Sequence, residues 1–235
     1  MTIDINLIPA LGIDHDYAQD ILDTLAQGAP VEKRSMEPRA VLGNDWGIPT
    51  LDVTRQAVSY GANVVKWGTV ARTIPLPGDT VHFYTDDDKF SALIKDPAAL
   101  LKTSCLNAVE LNISLNPAMP RALALSLIYQ KRRVSVEWQD YGLPLFVDMN
   151  VPEKFFDLNM LGVPVRWRAY ANRGYAGDLE HLEKAHRLAV ERAGGDVLYL
   201  VYGGGKSARD LCQRRGWEWI PEDATLKRGQ HGAES

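Results

Sequence analysis

Cysteine is scarce in this chain: of 235 residues only Cys105 and Cys212 are cysteine, far apart and without C-x-x-C spacing or a neighbouring His. A disulfide framework or a thiolate zinc site is therefore not expected, because both need clustered ligands. The five histidines give no metal pattern either. His181 and His186 are five positions apart, which on a helix puts them about 140° apart in rotation. Long apolar runs are also missing: the segment Ala122 to Tyr129 is brief and is followed by Lys131, Arg132 and Arg133, whereas a membrane span needs about 18 or more apolar residues. Met1 to Ala10 contains Asp4 and lacks the basic start and apolar run of a signal peptide. The expected location is the cytoplasm. A large excess of one charge is absent as well, with a formal net charge of −4, so general coating of nucleic acid is disfavoured. No G-x-S-x-G elbow is present and Cys105 has no sequence-evident His partner, which leaves nucleophilic catalysis without support.

What the chain does have is ordinary globular material, 46% hydrophobic and 24% charged, enough to bury a core without staples. From about Gly47 onward, short β-rich runs alternate with helical patterns. Eight candidate strands follow: Ile48 to Asp52, Asn63 to Trp67, Val81 to Thr85, Val109 to Ile113, Pro144 to Asp148, Val163 to Arg168, Val197 to Tyr202, and Trp217 to Ile220. The best helices are Pro120 to Asp140, opened by Pro and closed by Gly142, and Asp178 to Ala193, stopped by Gly194-Gly195. Lys89 to Leu101 is a weaker helix that Asp96-Pro97 should interrupt. Alternating strands and crossover helices predict a parallel α/β fold, TIM-barrel-like (β/α)8, with an open doubly wound sheet as the runner-up. One connection is irregular, because Gly68 to Asp79 carries Thr73-Ile74-Pro75-Leu76-Pro77-Gly78 where a helix should be. Residues 1–44 read as a helical extension and linker, 45–222 as the main domain, and 223–235 as a frayed polar tail.

In parallel α/β folds ligands sit beyond the carboxyl ends of the strands. The polar exits here are Asp52, Asp86 to Asp88, Asn112 with Ser114, Asp148 with Asn150, then Arg168, Tyr170 and Asn172, and finally Tyr202 and Glu222. Asp86 and Asp148 are the candidate catalytic pair for acid-base hydrolysis or for a hard cation. The alternative for Asp86 to Asp88 is capping of the next helix. His82 reads as a core histidine rather than a base.

The run Tyr202-Gly203-Gly204-Gly205-Lys206-Ser207-Ala208 follows a strand and opens a helix, the setting in which free amides hold an anion. A P-loop would need Gly at position 200, which is Leu. The dinucleotide fingerprint fits literally as Gly203, Gly205 and Ala208, with Glu222 as candidate ribose acceptor. Little chain follows to complete a Rossmann half, so a plain turn is the favoured reading and no cofactor is named. Arg121, Lys131, Arg132 and Arg133, interleaved with Tyr129 and Trp138, form either a basic docking face or a solvated helix face whose stems cover the core.

Several local patterns occur together between about Trp46 and Glu222: Trp46-Gly47-Ile48-Pro49, His82-Phe83-Tyr84 with Asp86 to Asp88, Phe90 and Asp96-Pro97, Met119-Pro120 leading a helix with Tyr129, Trp138 and Gly142, and Val201-Tyr202-Gly203. In these the chain resembles the family known as domain of unknown function forty-four seventeen. The resemblance implies a phage, plasmid or mobile-element setting and no mechanism. Relatives often carry a Pro-Asp-Phe-Ser-like exit where this chain has Leu111-Asn112-Ile113-Ser114, so an acid there is replaced by Asn112. The expectation drawn from sequence is an accessory or regulatory protein acting by macromolecular binding, its partner another phage or host protein. The alternatives are a hydrolase-type barrel enzyme on a phosphate-containing or glycosidic substrate, with Asn112, Arg168, Tyr202, Gly203 to Lys206 and Glu222 as ligand contacts, and a nucleotide-binding protein.

Overall fold

The computed structural model describes residues 44–68 and 75–222. The chain divides into a unit of residues 1–39 and one of residues 40–235, and the described residues all belong to the second. The expected N-terminal extension and C-terminal tail lie outside them, as does the middle of the irregular connection, residues 69–74.

Seven strands form one sheet whose spatial order equals the chain order. They are β1 Val64–Lys66, β2 Thr80–His82, β3 Asn107–Val109, β4 Leu145–Asp148, β5 Ala169–Gly174, β6 Leu198–Gly203 and β7 Glu218–Ile220. Every neighbouring pair is parallel. The α-helices are α1 Ser91–Lys95, α2 Arg121–Asp140, α3 Phe156–Asn159, α4 Leu179–Ala193 and α5 Gly205–Arg215. Short 3-10 turns Asp87–Lys89 and Pro97–Thr103 flank α1, so Asp96-Pro97 does interrupt that connection.

The sheet is rolled into a nearly closed barrel. In a flat sheet β2 and β6 would stand four strand spacings apart, about 19 Å at about 4.8 Å each. Instead the His82 and Tyr202 rings lie 4.4 Å apart between centroids, and Tyr84 stacks on Tyr202 at 5.7 Å. No backbone pairing joins β7 to β1 among the described residues, so the ring stays open at that seam. Alternation along each strand sorts side chains into two layers. Val109, Phe146, Ala169, Ala171, Leu200 and Tyr202 fill the interior, while Val81, Phe83, Val147, Tyr170, Tyr199 and Val201 face outward to meet the helices. There Phe83 stacks on Trp138 of α2 at 5.5 Å.

Of the eight expected strands, the first and sixth are not strands. Ile48 to Asp52 is irregular and leads into a 3-10 turn, Val53–Arg55. Buried Gln139 near the end of α2 clamps it, accepting from the Asp52 amide and donating to the Asp52 and Arg55 carbonyls. The following segment plugs the lower end of the barrel: Ala57 donates to the Leu145 carbonyl at the start of β4, and Tyr60 stacks under Phe146 at 5.7 Å. The sixth run fails because Arg166 sits in the left-handed region at φ 69, and Trp167 turns back to hydrogen-bond the Pro164 carbonyl. The strand starts at Ala169 instead.

Candidate functional site

The loops after β2, β3, β4 and β5 converge at the carboxyl end of the barrel on one cleft of about 360 Å³. Thr85 and Asp86 come from the β2 exit, Asn112 and Ser114 from beyond β3, Asn150 from beyond β4, and Arg173 and Tyr175 from β5 and its exit, with Asp178 and His181 at the start of α4. This is the mouth at which parallel barrels carry their chemistry.

Each loop is fixed from below. Asp87 accepts from the Ser114 amide and hydroxyl at 3.1 and 2.8 Å, tying the β2 and β3 exits together. Its neighbour Asp88 pairs with Lys89. Asp86 occupies the position before the 3-10 turn but makes no capping bond with its side chain. Its carboxylate is exposed in the cleft and has no hydrogen-bond or ion-pair partner among the described residues. Asn150 donates its side-chain amide to Asn112 Oδ1 at 2.8 Å and its backbone N–H to Asp148 Oδ1 at 3.0 Å. Asp178 caps α4 by accepting from the His181 N–H at 3.2 Å, as short polar side chains do at helix starts. Burial, next to the Phe156 ring at 5.4 Å, pushes the His181 pKa below the usual histidine value, partly opposed by Asp178 and Glu153.

Asp148 does not line this cleft. It lies beneath the cleft, fully buried, with Oδ1 accepting from the Tyr84 hydroxyl at 3.1 Å and Oδ2 facing the Lys131 ammonium at 3.2 Å. Burial raises its pKa and the Lys131 charge opposes that rise. A second buried ion pair, Glu110 with Arg132, stands alongside. Glu110 also accepts from the Asp148 N–H at 3.2 Å, and Arg132 donates to the Asn159 carbonyl at 2.7 Å. The two pairs thus form one polar floor joining β3, β4, α2 and α3. Tyr84 and His82 belong to that floor. His82 Nδ1 accepts from the Tyr84 N–H at 3.3 Å, and burial, with Lys66 and Arg173 nearby, lowers its pKa to about 3.

The remaining sequence candidates fall in four places. Arg168 precedes β5 at the opposite end of the barrel, where its N–H reaches Gln56 Oε1, so it cannot contact a ligand at the mouth. Tyr202 is an interior residue whose hydroxyl donates to the Glu222 carbonyl at 2.7 Å. Gly203, Gly204 and Gly205 all have positive φ, 79, 76 and 63, and make the turn from β6 into α5 outside the cleft lining. A Cβ on Gly203 would come within 2.7 Å of Glu222 Oε1, so a carboxylate already packs against that turn; Lys206 is exposed beside it. Of the four basic residues expected on a docking face, Lys131 and Arg132 are inside the protein, about 1% and 0% exposed. Their charges are met by Asp148 and Glu110, so neither of these two residues is part of a docking face or of a solvated helix face. Arg121 pairs with Asp157 at 2.5 Å, and Arg133 pairs with Glu137 at 3.2 Å and donates to the Ile94 carbonyl.

Arg173, Tyr175, Asp178 and His181 were not among the sequence candidates, because the misplaced sixth strand moved its exit to Arg168. The available signal was Asn172-Arg173-Gly174 running into Asp178, a polar strand end followed by a helix cap.

A family model described as domain of unknown function (DUF4417) matches residues 41–177, more than half of the chain. The chain belongs to this family. In this DUF4417 protein the match takes in β1 to β5 and the cleft residues from Thr85 to Tyr175. Asp178, His181 and the last two strands lie beyond it. No curated protein and no solved structure matches the chain. Among the described residues no group of His, Cys, Asp and Glu is arranged to hold a metal ion, and no helix is long and apolar enough to cross a membrane.

Proposed function

We propose that this DUF4417 protein is a barrel-fold enzyme of hydrolase type, acting at the carboxyl-end cleft on a hydroxyl-rich, glycosidic substrate. The observation that carries the reading is the convergence of four strand exits on one polar cleft in which the Asp86 carboxylate is left without a partner. A carboxylate kept free in a cleft, while Asp148 and Glu110 below are fully engaged, is available for proton transfer.

Glycoside hydrolysis uses two carboxyl groups, and the second one facing this cleft is Asp178 rather than Asp148. In the proposed step, water attacks the anomeric carbon and gives a proton to Asp178. The bond to the leaving oxygen breaks and that oxygen takes the proton that Asp86 carries in its acid form. Asp86 is left as a carboxylate, and the proton gained by Asp178 is returned to it through solvent before the next turnover. Thr85, Asn112 and Asn150 supply donors and acceptors suited to hydroxyl groups. A phosphate-containing substrate suits the site less well. Two carboxylates face a single guanidinium, so the cleft disfavours a dianion, and Glu222 packs against the glycine turn that would cradle one.

Macromolecular docking through the basic helix loses its motive with Lys131 and Arg132 buried. The test is release of 4-nitrophenol from a panel of 4-nitrophenyl glycosides and from 4-nitrophenyl phosphate. At least one glycoside is hydrolysed, and Asp86→Asn and Asp178→Asn each abolish it. Activity only on the phosphate, or on none of the panel, contradicts the reading.

A further inference from the structure

We infer that Arg173 is the specificity residue of this cleft, holding a carboxylate on the substrate, so that the natural ligand is a sugar acid. The inference rests on the cleft being the substrate site. Other arginines packed against the barrel wall are bonded within the protein through both terminal nitrogens: Arg132 to Glu110 and the Asn159 carbonyl, Arg133 to Glu137 and the Ile94 carbonyl. Arg173 is different. Its backbone N–H bonds to Asn172 Oδ1, but neither terminal nitrogen of its guanidinium makes a hydrogen bond to a described residue, and its enclosed Nε, like that of Arg132, has no acceptor. The nearest carboxylate, Glu222, stands 4.0 Å away, beyond hydrogen-bond reach. The side chain is about a third exposed and lines the cleft.

Its plane is supported rather than loose, because the guanidinium lies 5.4 Å from the centroid of the Tyr175 ring, within the range of a cation–π contact. A guanidinium held in place with unused donors is matched in geometry by a carboxylate, which takes two parallel N–H bonds. The surrounding charge selects a monoanion. One carboxylate pairs with Arg173 and adds no further charge beside Asp86 and Asp178, whereas a dianion leaves one unpaired. The rest of the ligand then meets Asn112, Asn150 and Thr85, groups that recognise hydroxyls.

Binding is measured on the full chain by saturation-transfer NMR and thermal shift, with D-glucuronate and D-galacturonate against D-glucose, D-galactose and inorganic phosphate. A sugar acid binds the wild type on the order of 10- to 100-fold more tightly than its neutral counterpart, the range expected for a charge-assisted pair. Arg173→Met brings it down to the neutral sugar, and Arg173→Lys falls between. Glu222→Gln tightens binding, because it removes the carboxylate that competes for the guanidinium. Equal affinity for acid and neutral sugar, binding of neither, tighter binding of phosphate, or an undiminished preference in Arg173→Met overturns the inference. Sugar-acid binding without turnover by the wild type would remove the hydrolase reading and leave this one standing. Hydrolysis of neutral glycosides by both the wild type and Arg173→Met would do the reverse.

Discussion

The Lys131 ammonium lies 3.2 Å from the Asp148 carboxylate with both side chains about 1% exposed. A charge pair this deep stabilises little relative to an apolar pair of the same shape, yet removal of one partner strands the other in a low-dielectric interior. Lys131→Met is expected to cost about 3–5 kcal/mol at neutral pH, the range for a broken buried pair. Burial already raises the Asp148 pKa, and loss of Lys131 raises it further. A group with a raised folded pKa contributes stability below its unfolded value and loses it as pH rises through the folded one. The deficit of Lys131→Met should therefore shrink on acidification toward pH 4, which urea unfolding at several pH values measures.

His82 carries the opposite sign. Its folded pKa of about 3 lies below the ordinary value of 6.5, so the unfolded chain takes up a proton that the folded one does not. Stability from this group is full above pH 6.5 and falls by about 1.4 kcal/mol per pH unit between 6.5 and 3. His181 and His186 are also lowered and add in the same direction. His82→Phe should show a shallower acid limb than wild type in thermal melts between pH 7 and 4, and an unchanged slope would exclude His82 as its source.

Asn112 bonds to Asn150 at the mouth of the barrel, and the geometry there accepts an acid as well as an amide. Asn150 donates its amide to Asn112 Oδ1, an atom that aspartate keeps. Asn112→Asp should change stability by less than about 1 kcal/mol, because the hydrogen bond survives. Asn112→Leu removes the nearer of two acceptors of the Asn150 amide, leaving the Tyr175 hydroxyl at 3.5 Å, and should cost more than Asn112→Asp, about 1–1.5 kcal/mol. Chemical denaturation of the two variants separates these outcomes.

The parallel α/β architecture was legible because its signals are local. Pro120 and Gly142 bracket α2, Gly194 stops α4, and Leu145 to Val147 read as a strand wherever they pair. The mouth of the barrel was legible only in part. Asp86 and Asn150 follow strands that overlap the expected ones, and Asn112, expected inside a strand from Val109 to Ile113, lies just beyond β3, which ends at Val109, whereas Arg173, Tyr175, Asp178 and His181 follow the strand displaced by the Val163 to Arg168 alternation. Nothing in that alternation shows that Arg166 adopts a positive φ. The burial of Lys131 and Arg132 was hidden for another reason. Charges next to one another on a helix look solvated until the strands bring Glu110 and Asp148 beneath them, and those partners lie 22 and 17 residues away along the chain.

The central claim is that chemistry happens in the cleft between Asp86 and Asp178. It is tested most directly by a crystal structure of Asp86→Asn soaked with the glycoside that the wild type hydrolyses. The uncleaved substrate should lie in the cleft, with its glycosidic oxygen beside the substituted side chain and its hydroxyls on Asn112 and Asn150. Substrate bound at the glycine turn of α5 or on the outer face of α2, with the cleft empty, would contradict the account.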